Sequence, residues 1–369
     1  MKLPNTSYLS NLANASAAQG VSNTQNRSIH EGLKNTRTRA IKQVAVAIED
    51  RKMSHDDWKK LKILRDRCLH DASENYWLTP RDLELYDLVF AARIGWKWNA
   101  VLRSLTHIGW KPQSDKMIDW GCGTGVASRQ VTVWSDIQQV TLVDQSPLAL
   151  HFAQRELNKS HIATQVQAPG SVFSPKSLLL LSHVLGELSD KEAEELAYQA
   201  SVVDEIIWVE PGSHDISRKL SQIRSILIEA GHHLIAPCVH ALSCPMLPTE
   251  QERHWCHFFA PPPSEIFQSA FWNEVSHQLG IDLRSLPYSY LACSRYHVPS
   301  WEIDAERVIG HPRSYKGYGK LFCCSTSGLH ERTLQKRENP DLFKRLMKHQ
   351  EGGVFTWQLR ESKYITASA

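Results

Sequence analysis

The sequence lacks the features that would place the protein in a membrane or outside the cell. No apolar run is long enough to cross a bilayer, and hydrophobic and charged residues make up 42% and 22% of the chain, as in globular proteins. No apolar stretch followed by a small-residue cleavage site is found at the N-terminus. We therefore expect no membrane partner, a reducing compartment and no disulfides among the eight cysteines.

The first 27 residues also have no acidic side chains and few apolar ones. They are rich in Ser, Asn, Ala and Thr, which bury too little apolar surface to offset the entropy of ordering, so residues 1–27 are predicted to be a disordered arm. Lys2 and Arg27 are the cations of this arm, a poor match to an Arg-rich transit peptide. We expect a bacterial cytoplasmic protein, with the mitochondrial matrix as the alternative.

Apolar periodicity divides the rest of the chain into three parts. Residues 28–110 have apolar side chains three to four positions apart, which predicts a helical N-terminal region. Between 111 and 300, short apolar runs such as 117–120 and 140–143 alternate with helix-length polar segments, which indicates an α/β domain with a parallel sheet. Residues 301–369 are predicted to form a small, strand-rich basic extension.

A glycine-rich turn lies between a predicted strand and a predicted helix. Gly121, Gly123 and Gly125 can turn the backbone tightly and let a ligand approach it without a side-chain clash. Asp144 closes the next predicted strand, where a carboxylate can accept hydrogen bonds from ribose hydroxyls. A tight turn without any ligand is the simpler alternative, and a dinucleotide site would need the different spacing Gly-x-Gly-x-x-Gly.

With Asp119 in front of the glycines, the turn resembles the first motif of class I methyltransferases. The resemblance implies a Rossmann-like class I methyltransferase fold that binds S-adenosylmethionine. In such a site Asp119 would help to hold the methionine end of the cofactor, the glycines would line it, and Asp144 would hold the ribose.

No Asn/Asp-Pro-Pro-Tyr/Phe motif for amino methylation follows the fourth predicted strand. His183, Glu187 and Glu210 stand after the fourth and fifth strands and are candidate general bases, because each could accept a proton near neutral pH if its pKa were shifted. Such residues more often cap strand ends and line the pocket. Whether the protein is an active transferase therefore stays open at this point.

Five cysteines mark a second candidate site. Cys238, Cys244 and Cys256 lie in a Pro- and His-rich loop at 237–258, and Cys323 and Cys324 lie in the C-terminal extension. They could be inert buried thiols. Zinc is another reading, with the neighbouring histidines as ligands, although paired cysteines about two to four residues apart are absent. A third reading makes Cys238 a nucleophile, because the Pro-Cys dipeptide resembles that of pyrimidine carbon-5 methyltransferases.

A fourth reading rests on a series of short motifs. Their order along the chain is Gly-Cys-Gly-Thr-Gly (121–125), Val-Leu-Gly-Glu-Leu (184–188), Val-Glu-Pro-Gly (209–212), Ala-Pro-Cys-x-His (236–240), Cys-Pro (244–245), Trp-Cys-His-Phe (255–258), Tyr-Ser-Tyr-Leu-Ala-x-Ser-Arg (288–295) and Cys-x-x-x-Gly (324–328). In this order the motifs resemble the methyltransferase-like small-ribosomal-subunit assembly family of mitochondria and bacteria. The resemblance covers about residues 80–330.

Membership of that family would imply a 4Fe-4S cluster held by Cys238, Cys244, Cys256 and Cys324. Cys324 is preferred to Cys323 because it stands four residues before Gly328, as in the family pattern. The resemblance further implies a ribosome-associated assembly or translation factor whose partners are the small ribosomal subunit and its rRNA. We expect no DNA partner and a monomer away from the ribosome.

Basic residues concentrate where RNA binding would need them. Between Arg307 and Lys348 ten Lys and Arg side chains face three acidic ones, a local net charge of +7 in a chain of net charge +3. Tyr315, Tyr318 and Phe322 are interleaved with these cations and could stack on bases while the cations contact phosphates. A solvated charged face is the alternative from these residues alone.

Overall fold

The computed structural model describes residues 53–70, 77–284, 286–296, 301–348 and 352–368. The predicted arm at 1–27 lies outside the described residues. The described residues within 53–268 and 272–368 belong to one compact unit. Within the described ranges, no helix is both long and apolar enough to span a membrane.

The N-terminal part of this unit is helical. It contains α1 (His55–His70), α2 (Pro80–Tyr86) and α3 (Ala92–His107), and a π-helical turn joins α2 to α3. Thr79 begins α2 through a capping box: its hydroxyl accepts a hydrogen bond from the Asp82 amide at 3.3 Å, and the Asp82 carboxylate accepts from the Thr79 amide at 2.8 Å. Trp98 and Leu105 of α3 are fully buried against the sheet that follows, which attaches this helix to the main domain.

The main domain alternates strands and helices. Its strands are β1 (Lys116–Trp120), β2 (Gln139–Val143), β3 (Ala163–Val166), β4 (Leu178–Ser182), β5 (Glu205–Pro211), β6 (His233–Ala236), β7 (Phe258–Phe259) and β8 (Pro287–Ser294). Its helices are α4 (Val126–Trp134), α5 (Pro147–Asn158), α6 (Asp190–Ala200), α7 (His214–Glu229) and α8 (Ala270–Leu279). The predicted α/β architecture is confirmed.

The sheet has the order β3-β2-β1-β4-β5-β8-β6, with the short β7 paired to β8. β1 to β5 are mutually parallel, whereas β8 runs antiparallel to β5 and to β6. The predicted parallel sheet therefore carries one antiparallel insertion near its edge. Helices cover both faces of the central strands, so Leu178 to Leu181 of β4 are completely buried.

The C-terminal extension is a closed barrel. Its elements are β9 (Ala305–Tyr315), β10 (Tyr318–Ser325), β11 (Gly328–Gln335), α9 (Pro340–Phe343), β12 (Val354–Arg360) and β13 (Tyr364–Ser368). The barrel closes in the order β10-β11-β13-β12-β9, and β11 and β13 are parallel. A five-stranded barrel with this order and a helix between its third and fourth strands has the topology of an OB-fold. The sequence predicted short strands here but not their closure.

An ion pair lies inside this barrel. Arg332 donates to both carboxylate oxygens of Glu306, and the two residues are 8% and 5% exposed. A buried pair is costly to break because the remaining partner keeps an uncompensated charge. The apolar barrel core, which includes Leu321, Leu334 and Ile365, lies around it.

We expect Glu306→Ala to lower the free energy of unfolding by about 3–5 kcal/mol, because the Arg332 guanidinium then stays buried without its counter-charge. The double variant Glu306→Leu/Arg332→Met should recover most of that loss, since it leaves no buried charge. Urea unfolding of both variants beside the wild type measures the difference. A single variant as stable as the wild type would contradict this account.

Candidate cofactor sites

The glycine-rich turn connects β1 to α4 with three residues in the left-handed region. Gly121, Gly123 and Gly125 have φ of 68°, 51° and 72°. A Cβ on Gly121 would lie 2.7 Å from the Val184 side chain, so packing as well as conformation requires glycine there. A Cβ at Gly123 would meet its nearest neighbour, the Trp77 indole, only at 3.4 Å. The backbone at Gly123 is thus the more open part of the turn.

Asp119 and Asp144 lie at the ends of the adjacent strands β1 and β2. The Oδ2 atom of Asp119 accepts a hydrogen bond from the Ser128 hydroxyl at 2.5 Å, while its buried Oδ1 has no partner among the described residues. Burial raises the pKa of Asp119 to about 6. Asp144 accepts from the amides of Gly123 and Ser146, both at 2.8 Å, and so ties the turn to the second strand.

His183 follows β4 directly and has a φ of 60°, which is unusual for a residue other than glycine. Its Nε2 atom lies 3.0 Å from the Nζ of Lys97, which reaches it from α3. Burial and the nearby cations Lys97 and Arg93 lower the pKa of His183 well below its ordinary value, so the imidazole is neutral. Burial likewise lowers the pKa of Lys97 to about 7.

Glu210 lies on β5 beside this pair and is completely buried. Its Oε1 atom accepts hydrogen bonds from the Trp208 indole at 2.7 Å and from the amides of Val184 and Leu185 at 3.1 and 3.3 Å. Its Oε2 has no partner within the described chain. Burial raises the pKa of Glu210 to about 7. Two of the predicted base candidates therefore belong to one group with Lys97, in which Glu210 is buried and the other two are half-buried.

The third candidate, Glu187, is exposed on a short 3-10 turn. Lys97 and Arg93 were not identified from the sequence, because both lie in the helical region far from any motif. The two cations stand in one helix beside Gly95 and Trp98, which are buried, and this position is the signal that could have identified them.

The cysteines of the loop that follows β6 gather with one cysteine of the barrel. Cys256, which is partly exposed, lies close enough to Cys238, Cys244 and Cys324 for each thiolate charge to act on it. Burial, followed by these charges, raises the pKa of Cys256 well above its ordinary value. Burial also raises the pKa of Cys324 to about 12, with Cys238 and Cys244 contributing.

The two C-terminal cysteines point to opposite sides of β10. Cys323 is completely buried among the apolar residues of the barrel core, whereas Cys324 faces the loop and lies 3.8 Å from His240 Nε2. Successive side chains of a β-strand point to opposite faces, which places the two cysteines on opposite sides. Of the other cysteines, Cys122 and Cys293 are buried in the main domain.

Two arginines of α7 hold this loop. The Arg224 Nε donates to Cys238 Sγ at 3.3 Å, and its Nη2 donates to the carbonyls of His240 and Leu242 at 2.8 and 2.9 Å. Arg224 is 3% exposed. Arg218 donates to the carbonyls of Met246, Leu247, Gln251 and His254. Sequence reasoning missed both, although for Arg224 its position between Leu220 and Leu227 on the apolar stripe of the helix is a signal.

From the barrel side, the Arg307 guanidinium donates to the carbonyl of Pro237 at 2.8 Å and is 6% exposed. Two buried positive charges therefore flank the thiols. Among the residues that the structure describes, no group of three or more His, Cys, Asp or Glu side chains is arranged to hold a metal ion. Of the histidines near the loop cysteines, which the zinc reading would use, His254 packs on Phe322 in a tilted contact and His257 stacks on Trp255.

Together, the sheet order, the antiparallel strand β8 and the turn after β1 define a methyltransferase-like protein of class I fold, and the predicted fold class is confirmed. The chain belongs to the Rsm22 family, whose model is described as mitochondrial small ribosomal subunit Rsm22 and matches residues 87–356. The predicted resemblance to a small-subunit family is thereby confirmed. No curated protein matches the chain.

Solved structures of similar fold include a SAM-dependent methyltransferase from Leishmania major, at 15% identity and a TM-score of 0.36, covering 64% of this chain and 83% of that one. The plantazolicin methyltransferase BamL is similar at 9% identity and a TM-score of 0.36, covering 65% of this chain and 97% of that one. The methyltransferase domain of bacterial CtHen1-C is similar at 12% identity and a TM-score of 0.35, covering 55% and 98%.

The pKa of Glu210 predicts a pH dependence of stability. Because its pKa rises from 4.5 to about 7 on folding, the folded protein binds the proton more tightly, and stability falls as pH rises through that window. The loss should reach at most about 3 kcal/mol. In urea unfolding between pH 5 and 8, the stability of Glu210→Gln should not show this fall. The exposed control Glu194→Gln should lose stability with rising pH as the wild type does. Parallel curves for the wild type and Glu210→Gln would contradict the assignment.

Proposed function

We propose that the protein is an assembly or translation factor of the small ribosomal subunit that binds rRNA and holds a 4Fe-4S cluster through Cys238, Cys244, Cys256 and Cys324. The observation that carries the proposal is that these four thiols, three from the loop after β6 and one from the barrel, lie near enough for their charges to act on one another. Family membership supports the association with the small subunit. Membership of a mitochondrial small-subunit family also supports the mitochondrial matrix as the compartment.

The donor set suits an iron–sulfur cluster in its chemistry. Thiolates are the usual ligands of such clusters, and three of these four come from irregular backbone that can direct sulfurs to a common point. Four thiolates and a cluster carry net negative charge, and Arg224 and Arg307 lie buried beside them. A zinc ion needs its ligands within about 2.3 Å of one atom, whereas a cluster of four irons accepts thiolates that lie further apart.

The role of the cluster would be structural in the first place, because its ligands come from both domains. When bound, it would supply Fe–S bonds that connect the barrel to the main sheet. The chain's own residues contribute the alignment: Arg224 holds Cys238 and the adjacent carbonyls, and Arg307 holds the Pro237 carbonyl from the barrel side.

Metal and sulfide analysis of anaerobically purified protein tests the cluster. We expect about four irons and four sulfides per chain with broad visible absorbance. Cys324→Ala should lose most of the iron, because a ligand is removed. Cys323→Ala is the matched control, one residue away in the barrel core, and should retain it. One zinc and no iron in the wild type would contradict the proposal, as would equal iron in the two variants.

The turn after β1 suits S-adenosylmethionine. The open backbone at Gly123 allows close approach of a ligand, and the free Oδ1 of Asp119 can accept a hydrogen bond from an amino group. The Asp144 carboxylate already accepts two amide hydrogen bonds and has further lone pairs for ribose hydroxyls. We infer that these residues, with Gly121 and Gly125, form the cofactor pocket.

Active rRNA methyl transfer is the second candidate function, and the group at the ends of β4 and β5 favours it. His183 is neutral and accepts a hydrogen bond from Lys97, and Glu210 has one oxygen free, so the group can hold or release a proton near pH 7. His183 stands beside Val184, which contacts the glycine-rich turn. The group is therefore close to the proposed cofactor pocket.

Two variants separate cofactor binding from methyl transfer. Gly123→Arg should abolish S-adenosylmethionine binding in calorimetry, because the side chain would fill the approach to the turn. His183→Ala should leave that binding within about twofold and lower transfer of labelled methyl to small-subunit rRNA by about 100-fold or more. Unchanged binding in Gly123→Arg would contradict the pocket. If the wild-type protein binds the cofactor but transfers no methyl group, the protein is a scaffold without methyltransferase activity.

A further inference from the structure

An OB-fold barrel binds its ligands on the face formed by its second and third strands. In this protein β10 and β11 form that face, and one end of it is already covered. Phe322 packs on His254 with ring centroids 4.6 Å apart, Cys324 faces His240, and Gly310 donates to the carbonyl of His257 at 2.9 Å. The loop after β6 therefore occupies the part of the face where Phe322 was predicted to stack on bases.

The other end of the same face is open to solvent. At the tip of the β9–β10 hairpin, Tyr315 and Tyr318 stack with centroids 4.8 Å apart and ring planes at 9°. Tyr315 is 42% exposed, unusually high for a large aromatic side chain. Lys316 and Gly317 form the turn between them and are also exposed. Since the two rings support each other, one face of the stack is preformed for a further planar group.

Cations lie on the chain segments next to this stack. They are Arg313, Lys316, Lys320, Lys336 and Arg337, and we call these five with Tyr315 and Tyr318 the hairpin platform. Glu331 pairs with Arg313 and with Lys320, both at 2.5 Å. The amide of Lys336 donates to the Gly317 carbonyl at 3.0 Å, which places the start of the segment after β11 beside the tip. The platform thus has a clear positive excess.

We infer that the hairpin platform is a binding site for single-stranded RNA. An unpaired base stacks on the exposed tyrosine ring, and the cations contact the adjacent phosphates. A duplex offers no free base faces to the ring, and an uncharged oligosaccharide would gain nothing from the cations. The inference rests on the proposed rRNA binding and assigns it to unpaired nucleotides at one defined surface.

Fluorescence anisotropy with full-length protein tests the assignment. The probe is a labelled oligouridylate of about 12 nucleotides, compared with a duplex RNA of the same length and with a small-subunit rRNA fragment. Tyr315→Ala should weaken binding of the single strand about tenfold, because a base loses its stacking partner. Tyr315→Phe should bind like the wild type, since the ring remains. Tyr198→Ala, which removes a 56% exposed tyrosine of α6, is the matched control and should have no effect.

Lys316→Ala should weaken binding of the same probe and lower the slope of log affinity against log salt concentration by about 0.7. Equal binding of Tyr315→Ala and the wild type, or tighter binding of the duplex than of the single strand, would overturn the inference. If the rRNA fragment still bound the wild type in that case, the proposed function would survive. Failure of the wild type to bind any of the three RNAs would overturn both.

Discussion

The fold of the second half of the molecule depends on the hydrogen bonds that the guanidinium groups of Arg218 and Arg224 donate. The loop between β6 and β7 has little regular structure, so its carbonyl groups need partners from elsewhere. Arg218 satisfies four of them and Arg224 two, and Arg224 also donates to Cys238. Because both arginines project from one helix packed on the sheet, the loop acquires a defined shape without strands of its own.

The barrel docks on this loop, and its register determines which residues take part. Cys324, Phe322 and Arg307 lie on the side of the barrel that faces the loop. A shift of β10 by one residue would turn Cys323 outward and Cys324 into the core. The inward positions are filled by a packed apolar cluster that includes Cys323, so the fold of the barrel fixes the cysteine that joins the other three.

In the methyltransferase-like half, burial sets the chemistry at the ends of the strands. Lys97 comes from α3, outside the alternating strands and helices, yet its ammonium lies against His183 and interacts with Glu210. Removal from water brings the pKa values of Lys97 and Glu210 to about 7. The N-terminal helical region thus contributes directly to the pocket, and the domain without it would be incomplete.

Local patterns in the sequence determined the alternation of strands and helices in the main domain and the tight turn after β1, because each depends on neighbouring residues. They also singled out the cysteines. Only the tertiary structure decided that the last five strands close into a barrel, that Cys323 is enclosed in its core, and that Lys97 and Arg224 belong to the sites. These outcomes depend on strand closure, register and burial between distant segments, which no local pattern encodes.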